Sequence, residues 1–276
     1  MRAGCVPHRP AREGAALLNQ FAIVGSGFLV GCLIGLTGVG GGVLTTPILI
    51  LACGVHPSIA VGTDLLYAAL TKLVGAIRHW RQGTVNAGLA FRLASASVPA
   101  ALTGIWAAKA YKDAKGPAVE PTINLVLAWV FILVATTMVL RMVAKRVWWK
   151  AKVVTLPGRQ LKYLTIVLGA GTGLLVGLTS IGAGSVVMMF LVILYRMPTS
   201  RLVGTDLFHA AILAGVSALG HFWAGNVDVS LACLLLAGSV PGVVLGSRMS
   251  IRIPEAALTL SVALTLVLSG TRLIFR

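Results

Sequence analysis

Acidic side chains are nearly missing from this chain: 7 Asp and Glu in 276 residues, against 23 Lys and Arg, with charged residues of all kinds only 11%. Soluble domains carry roughly 25% charged residues, so the composition excludes an ordinary globular domain in water. Cysteine is scarce too. Cys5, Cys32, Cys53 and Cys233 show no metal-ligand spacing, and three of them sit in apolar stretches, where free cysteine packs as a small hydrophobe. No metal site is implied. A Ser/His/Asp set is not recognisable, and the glycine-rich stretches lack both the Lys-Ser/Thr ending and the preceding strand of a nucleotide-binding loop. Catalysis therefore has little support, and the chain reads as a non-enzyme without a cofactor.

What the chain has in abundance is apolar length. Hydrophobic residues make up 57% of it and the mean hydropathy is +0.93. Apolar segments lie at 17–37, 43–54, 58–80, 87–109 and 121–144, and again at 161–180, 185–196, 200–223, 229–249 and 255–274. Several reach the ~17–25 residues that a helix needs to cross the hydrocarbon layer. The fold class is thus an all-α polytopic membrane protein. A formal charge of +16 would suit a nucleic-acid partner, but the Lys and Arg residues fall between apolar runs, at the chain ends and in a central connector. There they act as topology signals facing anionic lipid, so the bilayer is the partner and nucleic acid is not. Arg2, Arg9 and Arg12 precede the apolar run from Leu17 in the manner of a signal peptide, yet that run flows into a motif that the chain repeats, so it is expected to be retained.

The repetition has a fixed offset of 142 residues and needs no gap. Gly35-Leu36-Thr37 recurs as Gly177-Leu178-Thr179, Val61-Gly62-Thr63-Asp64-Leu65 as Val203-Gly204-Thr205-Asp206-Leu207, and Ser97-Val98-Pro99 as Ser239-Val240-Pro241. His79 recurs as His221 and Gly83 as Gly225. The organisation is a tail at 1–16, a first transmembrane repeat at 17–144, a basic connector at 145–160 and a second repeat at 161–276. Arg141, Lys145, Arg146, Lys150 and Lys152 around Trp148 and Trp149 make the connector a cytoplasmic, interface-anchored link.

Matching loops differ in charge. Arg78 and Arg81 correspond to Gly220 and Trp223, whereas Arg196 and Arg201 correspond to Gly54 and Ile59. Under the positive-inside rule, corresponding loops then lie on opposite sides and the repeats are inverted, as an odd number of segments per repeat requires. The same arrangement places the basic N-terminus outside, against the rule. The second segment of each repeat, about 12 residues or ~18 Å, is too short for a core of about 30 Å and reads as a half-helix. The expected count is eight to ten crossings. Pro57-Ser58 and Pro198-Thr199-Ser200 offer helix starts for the third segments, with Pro in the first turn and a hydroxyl as cap.

Between the first and second segments lie Gly38-Val39-Gly40-Gly41-Gly42 and Ser180-Ile181-Gly182-Ala183-Gly184. Such density lets a helix unwind in the membrane and present backbone N–H groups with the positive end of the next half-helix to an anion. Thr45, Thr46 and Ser185 add hydroxyls there. Glycine also serves close helix packing, and Gly27, Gly31 and Gly35 with Gly169, Gly173 and Gly177, four apart on one face, fit that use. Asp64 and Asp206 each lie about six residues into an apolar helix. A carboxylate there costs several kcal/mol unless paired, hydrated or protonated, so each marks either a functional site or a structural bond to the broken helices. Lys72, replaced by Ala214 in the other repeat, lies eight residues beyond Asp64 on nearly the same face, ~12 Å away. Its partner is either an anionic substrate or a carboxylate of the other repeat. His209 follows Asp206 on the same face. His79 and His221 sit at helix ends, where imidazoles are ordinary interface residues or, less commonly, proton relays.

In their order and duplication these motifs resemble the sulfite exporter TauE/SafE family of bacterial membrane transporters, over nearly the whole chain from about residue 20. They are the doubled Gly-Leu-Thr with its glycine-rich turn, Val-Gly-Thr-Asp-Leu, and Ser239-Val240-Pro241-Gly242. In the second turn Ser180 and Ala183 interrupt the glycine pattern. The resemblance implies a multi-pass protein of the bacterial inner membrane that moves small anions such as sulfite, sulfoacetate or other organosulfonates, or carboxylates. Together with the repeats it points to a secondary transporter with alternating access. Gly40, Gly41, Gly42, Thr45, Lys72, Gly182, Gly184 and Ser185 are expected to bind the anion, and Asp64, Asp206 and His209 to couple protons or gate. A passive anion channel, or a membrane enzyme or its scaffold, is the alternative. Pseudo-symmetry within one chain admits a homodimer without requiring it.

Overall fold

A computed structural model describes residues 21, 23–34, 42–51, 53–116, 120–147, 157–181, 184–195, 197–249 and 255–275. Among them are ten helices and no strand. They are α1 (Ile23–Ile34), α2 (Gly42–Leu51), α3 (Pro57–Arg81), α4 (Ala87–Lys115), α5 (Glu120–Val147), α6 (Gly158–Thr179), α7 (Ser185–Leu194), α8 (Thr199–Trp223), α9 (Val229–Met249) and α10 (Glu255–Ile274). Each falls on one of the ten apolar segments. Six contain windows long and apolar enough to cross a bilayer, and two shorter apolar stretches, Ile23–Ile34 and Thr259–Ile274, accompany them. α2 and α7 have 10 residues each, about 15 Å of rise, and do not cross.

Proline opens the long central helices differently from the hydroxyl cap expected. Pro57 takes the first helical position of α3 behind His56, and Pro198 is itself the N-cap of α8; neither cap residue makes a side-chain cap bond. Proline's fixed φ already suits a first turn and its missing N–H loses nothing there. True side-chain caps stand at the next helices instead. Asn86 Oδ1 accepts from the Leu89 amide at 3.2 Å to start α4, and Asp228, its repeat mate, accepts from the Leu231 amide at 2.9 Å to start α9.

The two repeats interlock rather than stand side by side. Gly27 and Gly31 of α1 lie against Leu235 and Ser239 of α9, and Gly169, Gly173 and Gly177 of α6 lie against Leu93, Ser97 and Ala101 of α4. Rising numbers meet rising numbers, so both pairs run parallel, and the Gly27–Leu235 and Gly31–Ser239 contacts are the 142-residue images of Gly169–Leu93 and Gly173–Ser97. The glycines are needed for closeness: a Cβ at Gly27 would stand 2.7 Å from the Leu235 carbonyl oxygen, and one at Gly169 2.8 Å from that of Leu93. Small residues on a helix face allow this approach in a membrane, where dispersion between backbones drives association.

α3 and α8 run past each other in opposite directions. The Asn86 amide donates to Thr205 Oγ1 at 2.9 Å beyond the end of α3, and the Asp228 amide donates to Thr63 Oγ1 at 3.0 Å beyond the end of α8. Gly62 and Gly204 clear the space, Gly62 against the Asn226 carbonyl and Gly204 against the Thr84 carbonyl, where a Cβ would come within 2.7 Å. These reciprocal straps put the crossing near Lys72 and its mate Ala214. α5 and α10 also cross at mated positions: a Cβ at Gly270 would meet the Ala128 carbonyl oxygen at 2.9 Å. The buried core, with Tyr67, Phe131, Leu44, Leu49, Leu127 and Ile181, fills the space between the two crossings.

Candidate functional site

The repeated Val-Gly-Thr-Asp-Leu stretch now reads as three tasks in consecutive residues. Glycine admits the opposing loop, threonine receives the strap, and aspartate turns inward. Asp64 is 0% exposed. Its Oδ2 accepts from Thr46 Oγ1 at 2.6 Å and from Ser180 Oγ at 2.8 Å. Three elements thus meet on one atom: the half-helix α2, the long helix α3 and the end of α6 in the other repeat. Oδ1 of the same carboxyl is buried without a hydrogen-bond partner. Thr45, 1% exposed, is a further hydroxyl beside this carboxyl.

Hydrogen bonds to a charged group contribute about 1.5–3 kcal/mol each, whereas burying an ion costs several kcal/mol. Two hydroxyls offset part of that cost for Asp64. Lys72 supplies another part. It is 9% exposed, and the acids its charge acts on are Asp206 first and Asp64 second. Each aspartate lies eight residues from the crossing, on opposite sides of it, ~12 Å along the axis. At that separation and an effective dielectric of about 20 the attraction is about 1.4 kcal/mol per pair, which is useful but smaller than the burial cost. One lysine serves both carboxylates because it stands where the repeats meet.

Asp206, 9% exposed, faces the start of α7: a Cβ on Gly184, the residue that caps that half-helix, would lie 3.9 Å from its Oδ2. Each aspartate therefore attends its own repeat's half-helix. The two settings differ, since the mate of Thr46 is Met188, which carries no hydroxyl. A second mated pair differs as well. His209, 0% exposed, shares a 2.9 Å hydrogen bond through Nε2 with Ser97 Oγ, and its Nδ1 has no partner. Its mate Tyr67 is 1% exposed near Ser239, the mate of Ser97, but its hydroxyl makes no hydrogen bond.

Of the residues expected at the site, Gly40, Gly41 and Gly182 lie outside the described residues. Gly42 begins α2, Gly184 caps α7, and Ser185 is the first residue of α7, its side chain outside the described set. Asp64 and Thr45 stand where α2 meets α3, Lys72 at the α3–α8 crossing, and Asp206 and His209 on α8 beyond it, beside α7 and α4. The two end histidines anchor helices: His221 Nε2–H donates to the Gly177 carbonyl at 2.8 Å, and His79 Nδ1 lies 2.8 Å from Thr84 Oγ1. Ser180 is the partner of Asp64 that sequence reading missed. It takes φ 63°, the left-handed region, where glycine is the ordinary occupant. A serine interrupting a glycine turn was the available signal. A separate cavity of about 670 Å³ opens between the α2–α3 loop and the ends of α5 and α10, lined by His56, Pro57, Asn124 and Leu273 among others and by none of the residues expected at the site.

A family model described as Sulfite exporter TauE/SafE matches residues 23–273. The probable membrane transporter protein YjnA of Bacillus subtilis (strain 168) is 40% identical over 253 residues, covering 92% of this chain and 99% of its own. YdhB of the same organism, also named a probable membrane transporter protein, is 25% identical over 90% of this chain and 97% of its own. A probable membrane transporter protein of Xylella fastidiosa (strain 9a5c) is 26% identical over 83% and 84%. No solved structure matches the chain.

Proposed function

This chain belongs to the sulfite exporter TauE/SafE family, and from that premise we propose that it is a secondary transporter of small sulfur-containing or carboxylate anions in the bacterial inner membrane. The observation that carries the reading is the buried lysine at the α3–α8 crossing with a duplicated carboxylate on either side, each beside a half-helix. Intramembrane ions are costly and persist where they handle substrate or protons. Half-helix starts offer an anion free N–H groups and a positive dipole end. Sulfite, sulfoacetate and related sulfonates carry the negative charge that such a seat favours, with Lys72 and the hydroxyls of α2 as further donors. Asp64 and Asp206 supply the groups for proton coupling. Reconstituted in liposomes, the protein is expected to move sulfite or a sulfonate against its gradient when a pH gradient is imposed. Flux that only follows the anion's own gradient, at high rate, would make it a channel instead.

Alternating access fits repeats of opposite orientation, and the antiparallel, reciprocally strapped α3 and α8 support that orientation. The straps put residues 81 and 201 at one end of the pair and 54 and 225 at the other. In a variant freed of its native cysteines, a single cysteine at 54 or 225 is expected to react with an impermeant reagent from outside, while one at 81 or 201 reacts only after permeabilisation. Labelling of both ends from the same side overturns this topology.

A further inference from the structure

We propose that the Asp64 carboxylate is a built-in stand-in for the transported anion, holding the α2 seat until an incoming anion displaces it and the carboxyl takes up a proton. This rests on the transport reading above and adds how coupling arises. The hydroxyls that the start of α2 and the interrupted glycine turn offer an anion, Thr46 and Ser180, both point at Asp64 Oδ2, at 2.6 and 2.8 Å. The second oxygen, Oδ1, is fully buried and unpartnered, leaving it room to carry a proton without breaking a bond. The seat is the side chain's own: Asp64 projects from the same repeat as the half-helix it attends.

Charge counting leads the same way. With Asp64 and Asp206 ionised and Lys72 charged, the interior carries one net negative charge, and a monoanion entering unaided would meet repulsion. If Asp64 accepts one proton from solution as the anion arrives, net charge is the same before and after. The Thr46 and Ser180 hydroxyls then turn from the carboxyl to the anion. Other groups facing this point are few. α3 itself brings Tyr67 and Lys72, and α8 brings His221; Asp206 and His209 stand on α8 beyond the crossing, Asp228 at the start of α9 and Cys233 on it are exposed, α2 and α7 have no titratable side chain, and Arg78, His79, Arg81 and Arg201 lie toward the far end of the crossing. In the second repeat Met188 replaces the threonine, so the exchange belongs to Asp64.

The probe is methanesulfonate, a monoanion that does not itself titrate near neutral pH. Calorimetry on the purified full chain, run in two buffers of different ionisation enthalpy, counts protons taken up on binding. The wild type is expected to take up about one proton per anion, with affinity falling about tenfold per pH unit on the alkaline side. Asp64→Asn is expected to bind at least as tightly as the wild type, with no proton uptake and a flat pH profile, because the internal competitor is gone. Wild-type binding without proton uptake overturns the exchange without need of any variant, and so does an Asn variant that keeps the wild-type pH slope. If no sulfonate, sulfite or carboxylate binds the folded wild type, the transport reading itself fails, and the exchange with it.

Discussion

Gly173→Val removes the folded protein, whereas Gly171→Val, two residues earlier on the same helix, leaves it intact. The difference follows from what each side chain meets. A Cβ at Gly171 has nothing within 4 Å, while one at Gly173 runs into the Ser97 carbonyl oxygen, Cα and carbonyl carbon of α4. A flexible side chain would swing away from such a clash. Backbone in the middle of a packed helix has nowhere to go, so α4 and α6 must separate along their length. Overpacking in ordinary cores costs about 1–3 kcal/mol, and forcing two backbones apart costs at least the upper end of that range, a large part of the 5–15 kcal/mol that typically holds a domain. Gly31→Val is expected to do the same at the α1–α9 contact with Ser239, its image in the other half. Yield of monodisperse protein in detergent and its thermal unfolding midpoint measure the effect. A Gly173→Val protein as stable as Gly171→Val would remove the close-packing account.

The second large effect is on binding. Lys72→Met should weaken anion affinity about 100-fold or more at every pH, while the proton uptake that accompanies whatever binding remains persists. Truncating one member of a buried charged set costs about 2–5 kcal/mol, and each 1.4 kcal/mol is tenfold in affinity. Methionine fills most of the volume, so packing at the crossing survives. The loss is uniform across pH because no titrating acid has been removed, which separates this variant from Asp64→Asn. Retention of wild-type affinity would take Lys72 out of the anion's surroundings and leave it a structural partner of Asp206.

The ten helices were legible as ten apolar runs, the longer of which match the length that bilayer thickness and helix rise dictate. The half-helices were legible for the same reason, from two runs that are too short. Other features were not accessible from one dimension. The i+4 glycines announce a close neighbour but not its identity, and the neighbours turned out to be α9 for α1 and α4 for α6. Ser180 reaches Asp64 from 116 residues away. Nothing local in either stretch joins them, and the residue looked like a flaw in a glycine pattern. Tyr67 and His209 hide their equivalence because they share a position and a buried setting but not a chemistry. The role of Lys72 was split between substrate and an acid of the other repeat; the crossing places it within reach of both halves.

The pair of straps at the ends of α3 and α8 has a mechanical consequence. A helix pair pinned only at its middle can scissor, and one pinned at one end can swing. Here Thr63 holds the loop beyond α8 and Thr205 holds the loop beyond α3, so rotation about the crossing would stretch both bonds at once. The pair behaves as a stiff beam. Under the proposed alternating access, an opening toward one face or the other would fall to elements that lean on it, such as α2 and α7, while the charges on the beam keep their spacing.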